Sequence, residues 1–210
     1  MRWATSALAF ACVAWTAGAR ADEQTEASYG RVRGDVVLVV GAGTVVAPRG
    51  VRGEAELRAR YLDSAGVFAT YEDGASLASG VEPGRVLSAG LELRPLFLFR
   101  WLQGKETGNP WFDLVVDSFG LEAGATLSQP SGEGFEQAGL QLGVGLEVPF
   151  LPSASGPWLG LHAGLRWSDN AIASGQVSDA DDRSAYVAVT LSWHEVMLTH
   201  LVDVRDQLRP

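Results

Sequence analysis

The stretch Gly53–Tyr61, which reads GEAELRARY, decides the fold because its charged residues alternate with uncharged ones. Successive side chains of a β-strand point to opposite faces of the sheet. A strand here would therefore place Glu54, Glu56, Arg58 and Arg60 on one face and small or apolar side chains on the other. The stretch predicts a sheet with one charged face and one apolar face.

Two later stretches repeat this period of two. In residues 138–150 every even-numbered residue is apolar, and in residues 159–167 every odd-numbered residue is apolar. Turn-forming clusters rich in glycine, proline, aspartate and serine separate such segments and predict eight strands. These are Asp35–Ala47, Gly53–Leu62, Val67–Tyr71, Arg85–Trp101, Trp111–Ser128, Phe135–Phe150, Trp158–Trp167 and Ser184–His194.

The fold class predicted from these segments is all-β, a closed antiparallel up-and-down β-barrel of about eight strands. No helical period of useful length interrupts residues 34–194, which form the predicted barrel domain. A bend or bulge is expected at Arg94-Pro95, because proline cannot donate an amide hydrogen bond within a central strand.

The N-terminus predicts export. Arg2 precedes an uncharged stretch that runs to Gly18, and Ala19-Arg20-Ala21 fits a cleavage site, so residues 1–21 are predicted to be a signal peptide. Residues 22–33 then form an N-terminal extension, and residues 195–210 form a C-terminal tail of unassigned structure. The formal net charge of −9 argues against a nucleic-acid partner, which would require a basic face.

The placement of large aromatic residues indicates a membrane around the barrel. They cluster where the predicted strands meet the loops, as in the girdles of transmembrane barrels, where amphipathic rings are stable at the interface. The expected girdle comprises Tyr61, Trp101, Trp111, Phe150, Trp158, Trp167, Tyr186 and Trp193.

The charged strand faces carry both signs, which suits a buried network. The interior of an eight-stranded barrel is just wide enough for side chains, and buried charge is tolerated when it is paired. Glycines on the same faces would leave room for the longer side chains. The expected lumen network comprises Glu54, Glu56, Arg58, Arg60, Glu92, Arg94, Glu122, Glu147, His162 and Arg166.

With these features the chain resembles the small outer-membrane β-barrel proteins of Gram-negative bacteria over roughly residues 34–194. The resemblance is architectural and implies an outer-membrane location, contact with outer-membrane lipid, and a structural role or one exerted through loops. A protein partner is unknown. One departure is the extension beyond Trp193-His194, because such proteins commonly end with the last strand and a terminal aromatic residue.

Two other functions fit the same pattern. A soluble periplasmic or secreted barrel or sandwich could bind an apolar ligand. An outer-membrane lipid esterase could use Ser192 and His194, which share a strand face, although no orienting acid is assignable. No cofactor is expected and no metal site either, since His162 has no cluster of three or four ligands around it. The prediction is therefore a barrel that is not an enzyme.

Overall fold

Eight antiparallel strands close into a single barrel in the computed structural model, which describes residues 29–31, 34–74, 77, 81–129, 134–135, 137–174 and 183–199. Each strand pairs with its neighbours in sequence, and β1 pairs with β8 to close the sheet. The predicted up-and-down barrel of eight strands is confirmed. The strands are β1 Val36–Ala47, β2 Gly50–Tyr61, β3 Ala65–Asp73, β4 Arg85–Leu93, β5 Gly120–Gln129, β6 Gln137–Pro149, β7 Gly156–Ser168 and β8 Arg183–Met197.

The alternation in β2 separates two faces of the barrel wall. Arg58 is only 2 % exposed, whereas its neighbour Leu57 is 54 % exposed. In the register of β1 and β2, Arg58 lies opposite Val39, which is fully buried, and Leu57 lies opposite Val40, which is exposed. The charged face therefore points into the lumen and the apolar face points outward.

The connection between β4 and β5 differs from the sequence prediction. β4 ends at Leu93 and β5 begins at Gly120, and the segment between them forms two helices, α1 Pro95–Leu102 and α2 Pro110–Asp117. Proline stands at the first position of each helix, where its missing amide hydrogen costs nothing. The Asn109 side chain caps α2 by accepting hydrogen bonds from the Trp111 and Phe112 amides.

Smaller differences lie at the strand ends. A short helix, α3 Asp169–Ser174, follows β7, and β8 continues to Met197, into the segment predicted as tail. The predicted signal peptide, residues 1–21, and residues 200–210 of the tail lie outside the described residues, as does most of the 22–33 extension. None of the helices in the described part of the chain is long and apolar enough to cross a membrane.

The antiparallel order gives the barrel two different ends. The end that holds the start of β1 and the finish of β8, here called the terminal end, also carries connections 62–64, 94–119 and 150–155. The opposite, distal end carries connections 48–49, 74–84, 130–136 and 169–182. Helices α1 and α2 therefore lie at the terminal end.

Candidate functional site: the charged lumen

The interior of the barrel holds most of the charged side chains expected there. Nine of the ten predicted network residues are buried, and Glu54 is partly exposed. They come from β2, the end of β4, β5, β6 and β7, which surround the lumen. The chain thus brings residues far apart in sequence into one cluster.

Arg58 occupies the centre of this cluster. Its guanidinium donates to Glu56 at 2.9 Å, to Glu92 at 3.1 Å and to Glu122 at 2.6 Å. Glu122 also lies 2.9 Å from His162 Nδ1, across the lumen from β2. A single arginine therefore holds three carboxylates from three different strands.

A second group fills the lumen toward the terminal end. Arg60 donates to Glu92 at 3.0 Å and to Glu147 at 2.8 Å. Arg94 reaches the same two carboxylates and also Asp63, at 3.3 Å. Two guanidinium groups thus share two glutamates, an arrangement in which each buried charge has an opposite partner.

A third group lies toward the distal end and includes residues that the sequence analysis missed. Glu72 accepts from Arg52 at 2.7 Å and from Arg166, which also donates to Gln141 at 3.2 Å. The Arg166 guanidinium lies 4.1 Å from the centre of the Tyr186 ring, a cation–π contact. Arg52 and Glu72 each lie one residue outside a predicted strand boundary, and extending the alternation by one step would have included both.

Glycines supply the space for these long side chains. Gly145 pairs with His162 across β6 and β7, and a Cβ atom at position 145 would lie 2.7 Å from His162 Nδ1. A Cβ atom at Gly143 would lie 2.9 Å from the Tyr186 hydroxyl. Any larger residue at either position would have to displace the network.

The structure corrects the aromatic girdle at two positions. Trp158 and Tyr186 are buried in the lumen, where Trp158 stacks on His194 with ring centres 4.6 Å apart. Both share the parity of inward-facing residues on their strands, Trp158 with His162 and Tyr186 with Thr190, so strict alternation places them inside.

The other predicted girdle residues lie on the outside. Tyr61, Phe150 and Trp193 are exposed near the terminal end, and Trp167 faces outward near the distal end with partial exposure. Trp101 and Trp111 are also exposed but belong to helices α1 and α2 and not to strands.

Ser192 and His194 lie together inside the barrel. The Ser192 hydroxyl lies 3.2 Å from His194 Nε2, and Glu147 approaches the same nitrogen at 3.7 Å. A catalytic acid would instead contact the other ring nitrogen, to orient the imidazole as a base. Both side chains are buried in the lumen, out of reach of lipid on the outer wall. The arrangement does not support the esterase alternative.

No group of three or more histidine, cysteine, aspartate or glutamate side chains within the described ranges is arranged to hold a metal ion.

The outer wall of the barrel is apolar around its whole circumference. Every strand presents large exposed hydrophobic side chains from its outward face. Contiguous apolar surface of this extent marks a site of contact with lipid or protein. Representative residues, one from each strand in order, are Val40, Leu57, Val67, Leu91, Leu121, Leu142, Leu161 and Leu191.

Comparison with known proteins gives little information on identity. No protein-family model matches the chain, and no curated protein matches it. Among solved structures, CarO2 of Acinetobacter baumannii aligns over 75 % of this chain and 99 % of its own, with 14 % sequence identity and a TM-score of 0.40.

Proposed function

We propose that the protein is an outer-membrane β-barrel whose lumen is closed by ion-paired side chains, and that it acts through the surfaces at its two ends and not as a channel. The observation that carries this proposal is the inverted polarity of the wall. Leu57 and its outward neighbours are exposed, whereas Arg58 and its inward neighbours are buried. A barrel surrounded by water would gain by the opposite arrangement.

The dimensions of the wall support a membrane location. A tilted strand needs about 9–11 residues to cross the hydrocarbon core of a bilayer. The shortest strands, β3 and β4, have 9 residues each, and the others are longer. Tyr61 and Trp193 lie near the terminal end and Tyr71 near the distal end, all exposed, and amphipathic rings near both ends of the barrel suit a membrane with two interfaces.

The lumen contacts support a closed interior. Arg58 joins β2 to β5, Arg60 joins β2 to β6, and Arg166 joins β7 to β3, so ion pairs cross the barrel at three levels. At the terminal end Leu114 of α2 packs with Trp158 and Ala154 over the lumen. A solute would have to break these contacts in order to pass.

The same interior weakens the case for a soluble carrier of apolar ligands. Such a carrier needs an apolar cavity with few polar groups. Here the lumen contains arginine and glutamate side chains, and most of the exposed apolar surface lies on the outer wall and on helices α1 and α2.

Fractionation and electrophoresis test the membrane location. We expect the protein in the detergent-extracted membrane fraction, and we expect the unboiled protein to migrate differently from the boiled one, as a compact barrel does. Recovery wholly in the soluble fraction would refute the location.

Conductance in planar lipid bilayers tests the closed lumen. The wild-type protein should give no stable ion current. Removing the central plug residues together, as in Arg58→Ala with Glu122→Ala, should permit current if the barrel still migrates as folded. Steady conductance by the wild type would refute the closed lumen while leaving the membrane location intact.

A further inference from the structure

Helix α2 repeats the inverted polarity of the barrel wall, whereas α1 exposes apolar side chains and also buries one. The buried positions of α2 are Asp113, Leu114 and Asp117, two of which are acidic. The only buried residue of α1 is Phe97. In a helical cap that faced water, charged residues would lie outside and apolar ones inside. In the helical hairpin, defined here as residues 95–117, α2 buries two acidic residues and both helices expose apolar ones.

The acidic side of the hairpin is satisfied internally. The Arg100 guanidinium donates to both Asp113 and Asp117, at 2.6 Å for Asp117, and Arg31 from the N-terminal segment donates to Asp117 at 2.7 Å. The Tyr29 hydroxyl donates to Asp113 at 2.7 Å. The carboxylates of Asp113 and Asp117 therefore have their hydrogen-bond partners within the protein.

The pKa of Asp113 reflects these hydrogen bonds. Burial by itself would raise its pKa, but hydrogen bonds from Tyr29, from Thr107 and from Arg100 lower it to about 2. Burial, together with its hydrogen bond to Asp113, raises the pKa of Tyr29 to about 12. The carboxylate therefore remains charged and hydrogen-bonded at physiological pH.

The opposite side of the hairpin is apolar and uncovered. Leu102 is 75 % exposed and Phe99 58 % exposed on α1, and both project away from Phe97. On α2, Trp111 and Phe112 are exposed on the side away from Asp113 and Asp117. Within the two helices, the exposed residues are thus all large aliphatic or aromatic ones.

This apolar face continues the outer wall of the barrel. The hairpin leaves β4 just after Leu93 and enters β5 just before Leu121, and both leucines are exposed on the outward face. Leu114 anchors α2 to the terminal end of the lumen by packing with Trp158. The lipid-facing wall and the hairpin face therefore adjoin at the same end of the barrel.

We propose that the hairpin is an in-plane membrane anchor, whose apolar face inserts into the boundary between headgroups and acyl chains at the terminal end. This inference rests on the proposed membrane location of the barrel. Amphipathic helices bind at this depth through an apolar face that includes tryptophan, phenylalanine and leucine. Tryptophan is stable there because its ring is amphipathic. The partner of this surface is therefore lipid, and the polar connection 103–109 lies on the water side.

Site-directed fluorescence tests this anchor. Cys12 is the only cysteine, so in a Cys12→Ser background each introduced cysteine is a single labelling site. Environment-sensitive probes are placed at Leu102→Cys and Phe112→Cys on the hairpin face. Leu142→Cys on the barrel wall reports the membrane location, and Lys105→Cys in the polar connection is the control on the hairpin. The purified full-length protein is reconstituted into phosphatidylcholine vesicles that contain nitroxide-labelled lipids.

The expected result is strong quenching at Leu102→Cys and Phe112→Cys by nitroxides near the headgroup. Leu142→Cys should be quenched best by nitroxides deep in the acyl chains, and Lys105→Cys should respond mainly to a water-soluble quencher. Quenching at Leu142→Cys without quenching at either hairpin site would overturn the anchor and leave the barrel in the membrane. No lipid quenching at Leu142→Cys would overturn the membrane location and the anchor with it. The two hairpin sites are independent, so misfolding of one variant does not prevent the test.

Discussion

Replacing Arg58 by methionine tests whether the lumen network stabilises the barrel. Methionine keeps much of the side-chain volume but removes the charge that contacts Glu56, Glu92 and Glu122. If the buried charges depend on one another, the free energy of unfolding should fall markedly. If the charges do not depend on one another, the free energy of unfolding should hardly change.

The size of the loss follows from what each carboxylate retains. Glu92 keeps its ion pairs with Arg60 and Arg94, and Glu122 keeps its contact with His162. Glu56 keeps no ion pair within the described part of the chain. Removing one partner of a buried pair costs about 3–5 kcal/mol, because the remaining charge stays buried without compensation. We expect Arg58→Met to destabilise the barrel by that amount.

Adding Glu56→Gln should restore part of the lost free energy of unfolding, because the carboxylate left without its arginine is then replaced by a neutral amide. Contacting residues show coupling free energies of about 0.5–3 kcal/mol, so a coupling near 2 kcal/mol is expected between the two substitutions. The matched control is Arg85→Met. Arg85 pairs with Asp73 at 3.4 Å but is 40 % exposed, and such a pair contributes at most about 1 kcal/mol.

Denaturant titration in lipid vesicles, followed by tryptophan fluorescence, measures the free energy of unfolding of four variants: Arg58→Met, Glu56→Gln, the two combined, and Arg85→Met. Mutual dependence of the buried charges is refuted if Arg58→Met lowers the free energy of unfolding no more than Arg85→Met does. It is also refuted if the Arg58→Met, Glu56→Gln double variant is as unstable as the sum of its single substitutions, because the buried charges would then act independently.

Three further predictions test other parts of the structure. Leu142→Arg on the outer wall should destabilise the barrel in a bilayer by about 2–4 kcal/mol. Leu198→Arg, beyond the end of β8, should destabilise it by at most about 1 kcal/mol. Equal folding yields of the two variants in vesicles would contradict the assignment of Leu142 to the lipid-facing side. Gly145→Val should destabilise the barrel by about 1–3 kcal/mol and so lower its thermal midpoint, because the new side chain would collide with His162. An unchanged midpoint would show that the lumen has room for a larger residue there. Asp113→Asn should destabilise the hairpin at neutral pH. Because the folded pKa of Asp113, about 2, lies below the ordinary 3.8, wild type loses this advantage as pH falls from about 4 to 2, and the two thermal midpoints should converge there.

The barrel was predictable because a period of two leaves little freedom. Once Arg58 faces inward, every second residue of β2 must do the same, and pairing extends that choice to β1 and β3. The strand count depended on separating β2 from β3 at Asp63-Ser64. The structure has a tight turn there, with Leu62 and Asp63 at φ 47° and 49°.

The helical hairpin was not predicted because its two helices are short. Each helix has only eight residues, about two turns, so neither shows a period of 3.6 residues that is long enough to distinguish it from the neighbouring strands. The available signals were local ones: Pro95 at a first helical position, and Asn109-Pro110 as an N-cap followed by such a position. These signals indicate where a helix starts even when the helix is too short to show a hydrophobic period.

The candidate site was predictable in its chemistry but not at its edges. Alternation identifies which face is charged, yet it cannot say where a strand stops, and this is why Arg52 and Glu72 were missed. Arg31 has no pattern that links it to Asp117, 86 positions away, because that contact depends on how the N-terminal segment packs under the hairpin. Contacts between separate elements require the tertiary structure.

The inverted polarity of the wall and the apolar face of the hairpin also limit where function can reside. In the lumen, the guanidinium of Arg58 and the carboxylates around it are already committed to one another, so binding a substrate there would mean breaking ion pairs that stabilise the barrel. Ser192 and His194 lie within the same closed interior. The outer wall is suited to lipid and has few groups for specific recognition. The surfaces left for a specific partner are therefore at the two ends of the barrel, as at the exposed Arg49 of the distal end and the exposed Gln103 and Lys105 of the polar connection 103–109.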